Sequence, residues 1–221
     1  MMNRLQTVVF DLDDTLYKEL EYLQSAYKEI AIFLESKIGV SHLEILQEML
    51  DWYQNGENAF KLVLEKYETA YLETDLLLKM YRNHVPSIKL SNEGKHVLNS
   101  LKELGISMGI MTDGRSIQQR NKIKVLELEN YTKDILISEE FGSEKPDERN
   151  YQHFMKKYPT ANYFYIGDNT KKDFVTANKL GWTTICLLDN GSNVHQQNFT
   201  LPKAYLPKHK IHSLTEILDL L

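Results

Sequence analysis

The sequence predicts a three-layer α/β fold with a parallel sheet, interrupted by one inserted all-helical segment. Short apolar runs typical of strands alternate with helical patterns over most of the chain, and residues 18–88 break this alternation. Strands joined by helices of this length pair in parallel through right-handed crossovers. Five strands are predicted, at Thr7–Phe10, Ile106–Met111, Ile135–Ser138, Tyr163–Ile166 and Thr183–Leu188.

The first predicted strand ends in two acids. Its β-branched and aromatic run stops at Asp11, and Asp13 follows two positions later. Such a run is typical of a buried parallel strand, and open α/β sheets bind ligands at the carboxyl ends of their strands. Two carboxylates this close stay ionised together only beside a cation; otherwise one holds a proton. One acid can then act as a nucleophile beside Mg²⁺ while the other transfers a proton.

Residues 18–88 predict a small helical bundle. The segment holds two glycines and one proline, and its leucines and tyrosines recur at helical spacing. We expect three to five helices that form a hinged lid inserted after the first strand.

The rest of the chain predicts five further helices from their cap residues. The first covers residues 91–104 and is capped by Ser91, and the second runs from a capping box at Ser116–Gln119 to about Leu128. The third runs from Asp147 through Tyr158, the fourth covers residues 171–180 and is ended by Gly181, and the fifth begins at a capping box at Ser213–Glu216. The segment from Asn190 to His209 is predicted to be a long irregular connection.

Bulk properties exclude several classes of protein. The net charge of −5 disfavours a nucleic-acid polymer or an anionic membrane as partner. Cys186 is the single cysteine, so no internal disulfide can form, and its apolar neighbours favour a core position in a reducing compartment. No apolar run reaches the length of a membrane span, and the N-terminus lacks a signal pattern. The expected location is cytoplasmic.

Three further strand ends carry polar groups. Thr112 offers a hydroxyl before Gly114, which suits a turn around a phosphate oxygen. Lys145 offers a point charge, and Asp168 and Asp173 offer the hard oxygen ligands that suit Mg²⁺. A hydroxyl, a lysine and several carboxylates at one sheet edge match phosphoryl transfer, and Mg²⁺ is close to a requirement because the acids would otherwise repel an anionic substrate.

Nearly the whole chain resembles the haloacid dehalogenase (HAD) superfamily, in particular its phosphatase branch. The four motifs occur in order: Asp11-Leu12-Asp13-Asp14-Thr15, then Thr112, then Lys145, then Gly167-Asp168 with Asp173. The resemblance implies a Rossmann-like core over residues 1–17 and 89–221, with a type-1 (C1) helical cap domain over residues 18–88. The short gap between Thr112 and Lys145 leaves no room for a second cap.

The resemblance also implies roles for these residues. Asp11 would be the nucleophile that forms an aspartyl-phosphate, and Asp13 would be the acid and base. Mg²⁺ would be held by Asp11, Asp168 and the backbone carbonyl of Asp13, with Asp173 close by. The phosphoryl group would be held by Thr112, Lys145 and the amides of Leu12, Asp13 and Asp113, while Thr15 would support the loop.

Plainer interpretations apply to several residues. We expect a solvated or capping role for Asp14, and a solvated side chain is at least as good an interpretation for Arg115. Asp173 could instead be an acid at a helix N-terminus. His209 and His212 lack acidic or thiol partners nearby, which favours a solvated pair over a metal site.

The function predicted is hydrolysis of a small soluble phosphomonoester, such as a nucleotide, flavin or sugar phosphate. The residues of the first motif are common among the nucleotide- and flavin-type phosphatases, which favours that class of substrate. Alternatives are a 2-haloacid dehalogenase, which does not need Asp13, a phosphomutase, which often has glycine where this chain has Asp14, and a non-catalytic HAD-fold binding module. The expected partner is a small phosphorylated metabolite; the oligomeric state is left open.

Overall fold

The computed structural model describes residues 6–69, 71–159 and 162–221. The chain divides into two compact units, one formed by Met1–Glu19 with Lys89–Leu221 and the other by Leu20–Ile88. In the described part of the chain, no helix is both long and apolar enough to cross a membrane.

The first unit is built on a six-stranded sheet, and the predicted parallel α/β architecture is confirmed. Every neighbouring pair of strands is parallel, in the order β3-β2-β1-β4-β5-β6. The strands are β1 (Gln6–Phe10), β2 (Ser107–Thr112), β3 (Ile135–Ile137), β4 (Asn162–Gly167), β5 (Thr183–Leu187) and β6 (His209–Ile211). Strand β6 was not predicted from the sequence, because three residues carry no alternating pattern and only pairing with β5 makes them a strand.

The second unit is helical, as its periodicity predicts. Four helices occur among its described residues: α1 (Glu19–Ile38, beginning at the last residue of the first unit), α2 (His42–Gln54), α3 (Ala59–Lys66) and α4 (Thr74–Asn83). Ser41 and Asn58 cap α2 and α3 by accepting backbone N–H groups. The apolar faces meet in one core in which Ile30, Ile45 and Val63 are fully buried.

Among the described residues of the first unit, five helices accompany the sheet. They are α5 (Asn92–Glu103), α6 (Ser116–Val125), α7 (Ser138–Phe141), α8 (Glu148–Lys157) and α9 (Val175–Lys179), with short 3₁₀ helices at Leu128–Asn130, Lys203–Tyr205 and Leu214–Asp219. The predicted caps Ser91 and Asp147 are confirmed, since each side chain accepts an N–H in the first turn of its helix.

Three helix predictions need correction. The helix predicted over 171–180 is α9 alone, because the amide of Asp173 bonds the carbonyl of Asn169 in a turn before it. The capping box at Ser213 and Glu216 is confirmed, but it begins a 3₁₀ helix. The capping box at Ser116 and Gln119 is wrong: the N-cap of α6 is Arg115, which makes no side-chain cap bond, and Gln119 binds elsewhere. That helix also ends at Val125 and does not reach Leu128.

Candidate active site

Three carboxylates meet at the carboxyl end of the sheet. Asp11 follows β1 and Asp168 follows β4, and these strands are neighbours in which Phe10 pairs with Ile166. Asp173 joins them from the turn after β4. One oxygen of each carboxylate lies within 4.8 Å of the others, and all three residues are at most 5% exposed. The sequence prediction brings these residues together, and the structure places them together.

The close approach of Asp173 depends on Gly167. A Cβ atom at Gly167 would lie 2.4 Å from Asp173 Oδ2, so any other residue at this position would clash with the Asp173 carboxylate where it now lies. The same oxygen accepts the backbone N–H of Asn169 at 2.8 Å. Asp173 therefore turns back towards the sheet, and its side chain makes no cap bond at α9, whose N-cap is Phe174.

Lys145 lies between two of these acids. Its Nζ is 2.6 Å from Asp11 Oδ1 and 2.9 Å from Asp173 Oδ1, and it also donates to the Tyr165 hydroxyl at 3.1 Å. Burial lowers the pKa of the Lys145 ammonium, but Asp11 and Asp173 outweigh that effect and raise it well above its usual range. Lys145 is therefore charged, and when all three carboxyl groups are ionised, three carboxylates and one ammonium give this buried group a net charge of −2.

The remaining negative charge fits a divalent cation. Burial raises the pKa of Asp11 to about 7, with Lys145 lowering it and Asp173 raising it. Burial also raises the pKa of Asp168 to about 9, and the charges of Asp173 and Asp11 act in the same direction. A cation among these oxygens would stabilise the ionised carboxylates and so offset the cost of burying their charges. Carboxylate oxygens in this number are the hard ligands that Mg²⁺ prefers.

Asp13 belongs to a different set of contacts. Its Oδ1 accepts Lys122 Nζ at 2.7 Å and the Tyr17 hydroxyl, and its Oδ2 accepts Gln119 Nε2 at 2.8 Å. Burial by itself would raise the pKa of the Asp13 carboxyl, yet the charge of Lys122 and these hydrogen bonds prevail and lower it. Two acids separated by one residue thus have opposite pKa shifts, as expected for different chemical roles.

Thr112 ends β2 beside this second set. It is 1% exposed, and its Oγ1 lies 2.6 Å from Gln119 Nε2. The neighbouring Asp113 accepts the backbone N–H of Lys145 at 3.0 Å and Lys172 Nζ at 2.8 Å. Gly114 has φ +148°, and a Cβ atom there would lie 3.1 Å from Gln119 Cδ. The glycine after Thr112 therefore makes room for Gln119.

Gln119 and Lys122 were not predicted from the sequence. Both are 1% exposed, and with Ile123 they form the buried stripe of α6, which the buried C-cap residue Leu126 continues. A lysine next to Ile123 and at helical spacing from Leu126 was the available signal for Lys122. For Gln119 the local sequence pattern predicts a capping box. It carries no information about the actual partner, Asp13, which is distant in the sequence.

A loop after β5 closes one side of the site. Asn193 Nδ2 donates to Asp168 Oδ2 at 3.0 Å, and the amide of Val194 donates to Asp14 Oδ2 at 2.8 Å. Asp14 is 2% exposed, has φ +55° and also accepts the Glu19 amide at 3.0 Å. The expectation of a solvated Asp14 is wrong, and the alternative of a capping role fits these contacts. His195 and Lys172 line the same cavity as Asp11 and Thr112.

The other predicted residues occupy simpler positions. Leu12 is fully buried, and its carbonyl accepts the Leu16 amide at 3.0 Å. Thr15 is buried, and its hydroxyl oxygen has no hydrogen-bond partner among the described residues. Arg115 pairs with Glu139 at 2.7 Å, and its side chain is exposed. Asp11, Asp168 and Asp173 form the one potential metal-binding group in the described part of the chain, so His209 and His212 belong to none there.

Comparison with known proteins places this site in a family. The sequence profile described as "Haloacid dehalogenase-like hydrolase" matches residues 8–187. The glyceraldehyde 3-phosphate phosphatase of Methanocaldococcus jannaschii is 27% identical over 198 residues, which covers 83% of this chain and 85% of that protein. The ribulose-1,5-bisphosphate 5-phosphatase of Halopiger xanaduensis is 24% identical over 238 residues and covers 96% and 98%.

Solved structures agree on the fold. The HAD-hydrolase YfnB of Bacillus subtilis, in a crystal form bound to magnesium, has a TM-score of 0.68 at 20% identity and covers 99% of each chain. A β-phosphoglucomutase-like protein of Thermotoga maritima has a TM-score of 0.66 at 17% identity, with 98% of each chain covered. The profile match spans most of the chain. This chain is therefore a hydrolase of the haloacid dehalogenase-like family.

Proposed function

We propose that this hydrolase is a Mg²⁺-dependent phosphatase that cleaves small phosphorylated sugars through an aspartyl-phosphate. The observation that carries the proposal is the division of the site into two sets of contacts. Asp11 lies with Lys145, Asp168 and Asp173, whereas Asp13 lies with Lys122, Gln119 and Tyr17. A nucleophile and a proton-transfer group need this separation, because one must attack phosphorus while the other serves the oxygen that leaves.

Asp11 and Asp13 act in two half-reactions. A carboxylate oxygen of Asp11 attacks phosphorus, the bond between phosphorus and the ester oxygen breaks, and that oxygen takes a proton from Asp13. The negative phosphoryl group favours the protonated form of Asp13 in this step, because like charges disfavour ionisation. Water then attacks the aspartyl-phosphate and gives a proton to Asp13, and Asp11 is released with inorganic phosphate.

The other residues neutralise charge and fix the phosphoryl group. Lys145 and the Thr112 hydroxyl would hold phosphoryl oxygens, with help from the amides of Leu12, Asp13 and Asp113, and Thr15 would support their loop. Mg²⁺ would be held by Asp11, Asp168 and the carbonyl of Asp13, with Asp173 close by. When bound, it supplies the positive charge that an anionic substrate needs among these acids.

The contacts of Asp13 also favour a phosphatase over its rivals. A dehalogenase expels halide, which leaves without a proton, so a buried lysine, a glutamine and a tyrosine around Asp13 would have no purpose. A phosphomutase returns the phosphoryl group to sugar, and Asp14 differs from the glycine frequent in that branch. Retention of every acidic residue of the four motifs argues against a non-catalytic binding module.

The names of the relatives support a sugar phosphate as the substrate class. Those compared above bear names of phosphatases acting on glyceraldehyde 3-phosphate and ribulose 1,5-bisphosphate. Their names favour a short sugar phosphate over the nucleotide and flavin monophosphates towards which the first motif leans. In this proposal Leu20–Ile88 serves as the family's cap, and its side chains select the sugar.

A substrate panel tests the proposal. Release of inorganic phosphate is measured from triose and pentose phosphates, nucleoside monophosphates, flavin mononucleotide and 4-nitrophenyl phosphate, with Mg²⁺ or with EDTA. We expect turnover only with Mg²⁺ and the highest kcat/KM for a sugar phosphate. Asp11→Asn should abolish turnover, and Asp219→Asn, an exposed acid, should not.

Two results would contradict the proposal. Retention of activity by Asp11→Asn would exclude Asp11 as nucleophile. Halide release from 2-chloropropionate without phosphate release from any ester would indicate the dehalogenase alternative. A phosphoryl adduct on the peptide that contains Asp11, trapped by acid quench, would support the intermediate directly.

A further inference from the structure

Lys122 is a second buried lysine at the site, and the four sequence motifs do not include it. It lies on α6, is 1% exposed, and its Nζ is 2.7 Å from Asp13 Oδ1. A buried ammonium costs free energy unless it is paired, and an apolar side chain would fill the same position in the stripe of α6 without that cost. Its presence therefore points to a task at Asp13.

The contacts fix the direction of the Asp13 carboxylate. Lys122 and Tyr17 donate to Oδ1, and Gln119 donates to Oδ2, so both oxygens are engaged from the α6 side of the site. Lys145, in contrast, contacts Asp11 and Asp173. Asp11 and Asp13 thus each have their own lysine, and the side-chain contacts of Asp13 are with Tyr17 and α6.

Gln119 adds a link between two functions. The same Nε2 atom lies 2.8 Å from Asp13 Oδ2 and 2.6 Å from Thr112 Oγ1. Thr112 would hold a phosphoryl oxygen, and Asp13 would serve the ester oxygen on the same phosphorus. One buried side chain therefore sets the distance between the phosphate-holding hydroxyl and the proton-transfer carboxyl, which is the kind of positioning that catalysis needs to within fractions of an ångström.

We propose that Lys122 and Gln119 are positioning residues that aim the Asp13 carboxyl group at the ester oxygen of the substrate. This inference rests on the proposed function, since it assumes that Asp13 protonates the leaving group. Neither residue lines the cavity that Asp11, Asp13 and Thr112 share, so each acts through Asp13, and Gln119 also acts through Thr112.

The dependence on leaving group tests this assignment. Nitrophenolate leaves without a proton, whereas the alkoxide of glycerol 3-phosphate needs one. Lys122→Met should lower kcat/KM for glycerol 3-phosphate by about 100-fold and for 4-nitrophenyl phosphate by less than about fivefold. The ratio kcat/KM is the quantity to compare because it reports phosphoryl transfer to Asp11 and excludes the later hydrolysis step.

Matched variants separate positioning from packing. Lys124→Met removes an exposed lysine from the same helix and should change kcat/KM for neither glycerol 3-phosphate nor 4-nitrophenyl phosphate. Lys122→Arg keeps a charged donor and should restore part of the alkyl-ester activity. Gln119→Met should lower kcat/KM for glycerol 3-phosphate by about tenfold, and Gln118→Met is its control. Thermal unfolding of each variant checks the fold; if Lys122→Met does not fold, Lys122→Arg and Gln119→Met carry the comparison.

A double-mutant cycle completes the test. If Lys122 acts through Asp13, adding Lys122→Met to Asp13→Asn should cause no further loss of the residual activity on glycerol 3-phosphate, the ester for which the single variant loses activity. Equal loss on both esters in the single variant, or a full additional loss in the double variant, would overturn the assignment. An Asp13→Asn enzyme with unchanged alkyl-ester activity would instead overturn the proposed function, so the two failures are distinguishable.

Discussion

Lys145 Nζ lies 2.6 Å from Asp11 Oδ1, although the two residues are 134 positions apart in the sequence. The contact joins the loop before α8 to the end of β1, and both side chains are buried. Lys145 is thus the resident positive charge beside the proposed nucleophile. It orients the Asp11 carboxylate, and it partly offsets the repulsion of Asp168 and Asp173.

Removing this lysine should therefore affect both activity and stability. Lys145→Met should lower kcat/KM for every phosphate ester by about 100- to 1,000-fold, because the loss of phosphoryl stabilisation does not depend on the leaving group. The metal-free variant should also unfold at a lower temperature, since the buried acids Asp11 and Asp173 lose their ion-pair partner. Steady-state kinetics and thermal unfolding check both effects. Lys133→Met, on an exposed side chain, is the control, and an unchanged kcat/KM in Lys145→Met would contradict the assigned role.

The raised carboxyl pKa values predict how stability depends on pH. Asp11 and Asp168 ionise with a pKa of about 7 and about 9 in the folded protein, against ordinary carboxyl values when unfolded. The folded state binds more protons across this range, so the free energy of unfolding of the metal-free protein should fall as pH rises from about 4 towards 9.

Magnesium should reverse this trend. Binding displaces protons from these acids, so the metal binds more tightly as pH rises. At a free concentration of about 100 times Kd it should add about 2.7 kcal/mol to the free energy of unfolding. Denaturant titrations at pH 6 and pH 8, with Mg²⁺ or EDTA, measure both effects. A metal-free protein that is more stable at pH 8 would show that other titrating groups outweigh the buried acids.

Gly167→Ala should damage the metal site through Asp173. The added methyl would lie 2.4 Å from Asp173 Oδ2, so the carboxylate must move. We expect a loss of about 1–3 kcal/mol in the free energy of unfolding and weaker Mg²⁺ activation. The same substitution in an Asp173→Ala background should cost less, because the clashing carboxylate is absent. Equal costs in the two backgrounds would place the strain elsewhere.

Asp14→Ala should loosen the loop after β5. Asp14 accepts the amides of Glu19 and Val194 and has φ +55°, which alanine adopts with strain. We expect a loss of about 2 kcal/mol or more in the free energy of unfolding. Asp14→Asn, which tolerates this φ and keeps one acceptor oxygen, should cost less. Chemical denaturation of both variants, with Asp219→Ala as surface control, measures the difference; similar losses in Asn and Ala variants would exclude the backbone contribution.

The sequence predicted much of the fold because its strongest signals are local. Apolar runs that end in acids marked β1 and β4, and helix caps such as Ser91 and Asp147 act on amides two or three residues away. The order of the four motifs at strand ends indicated which residues would share one edge, since parallel strands bring their carboxyl ends together.

Other features depended on partners that sequence separates widely. The local sequence is compatible with a capping-box role for Gln119 at the start of α6. Only the folded sheet brings Asp13, 106 residues away, within hydrogen-bond distance of its amide. Lys122 joins Asp13 for the same reason, and β6 exists as a strand only through its pairing with β5. The chain by itself determined the kinds of groups available and the sheet edge at which they gather. The tertiary structure decided which acid pairs with which lysine, because hydrogen bonds and ion pairs between distant residues are set by three-dimensional packing, which a local pattern does not encode.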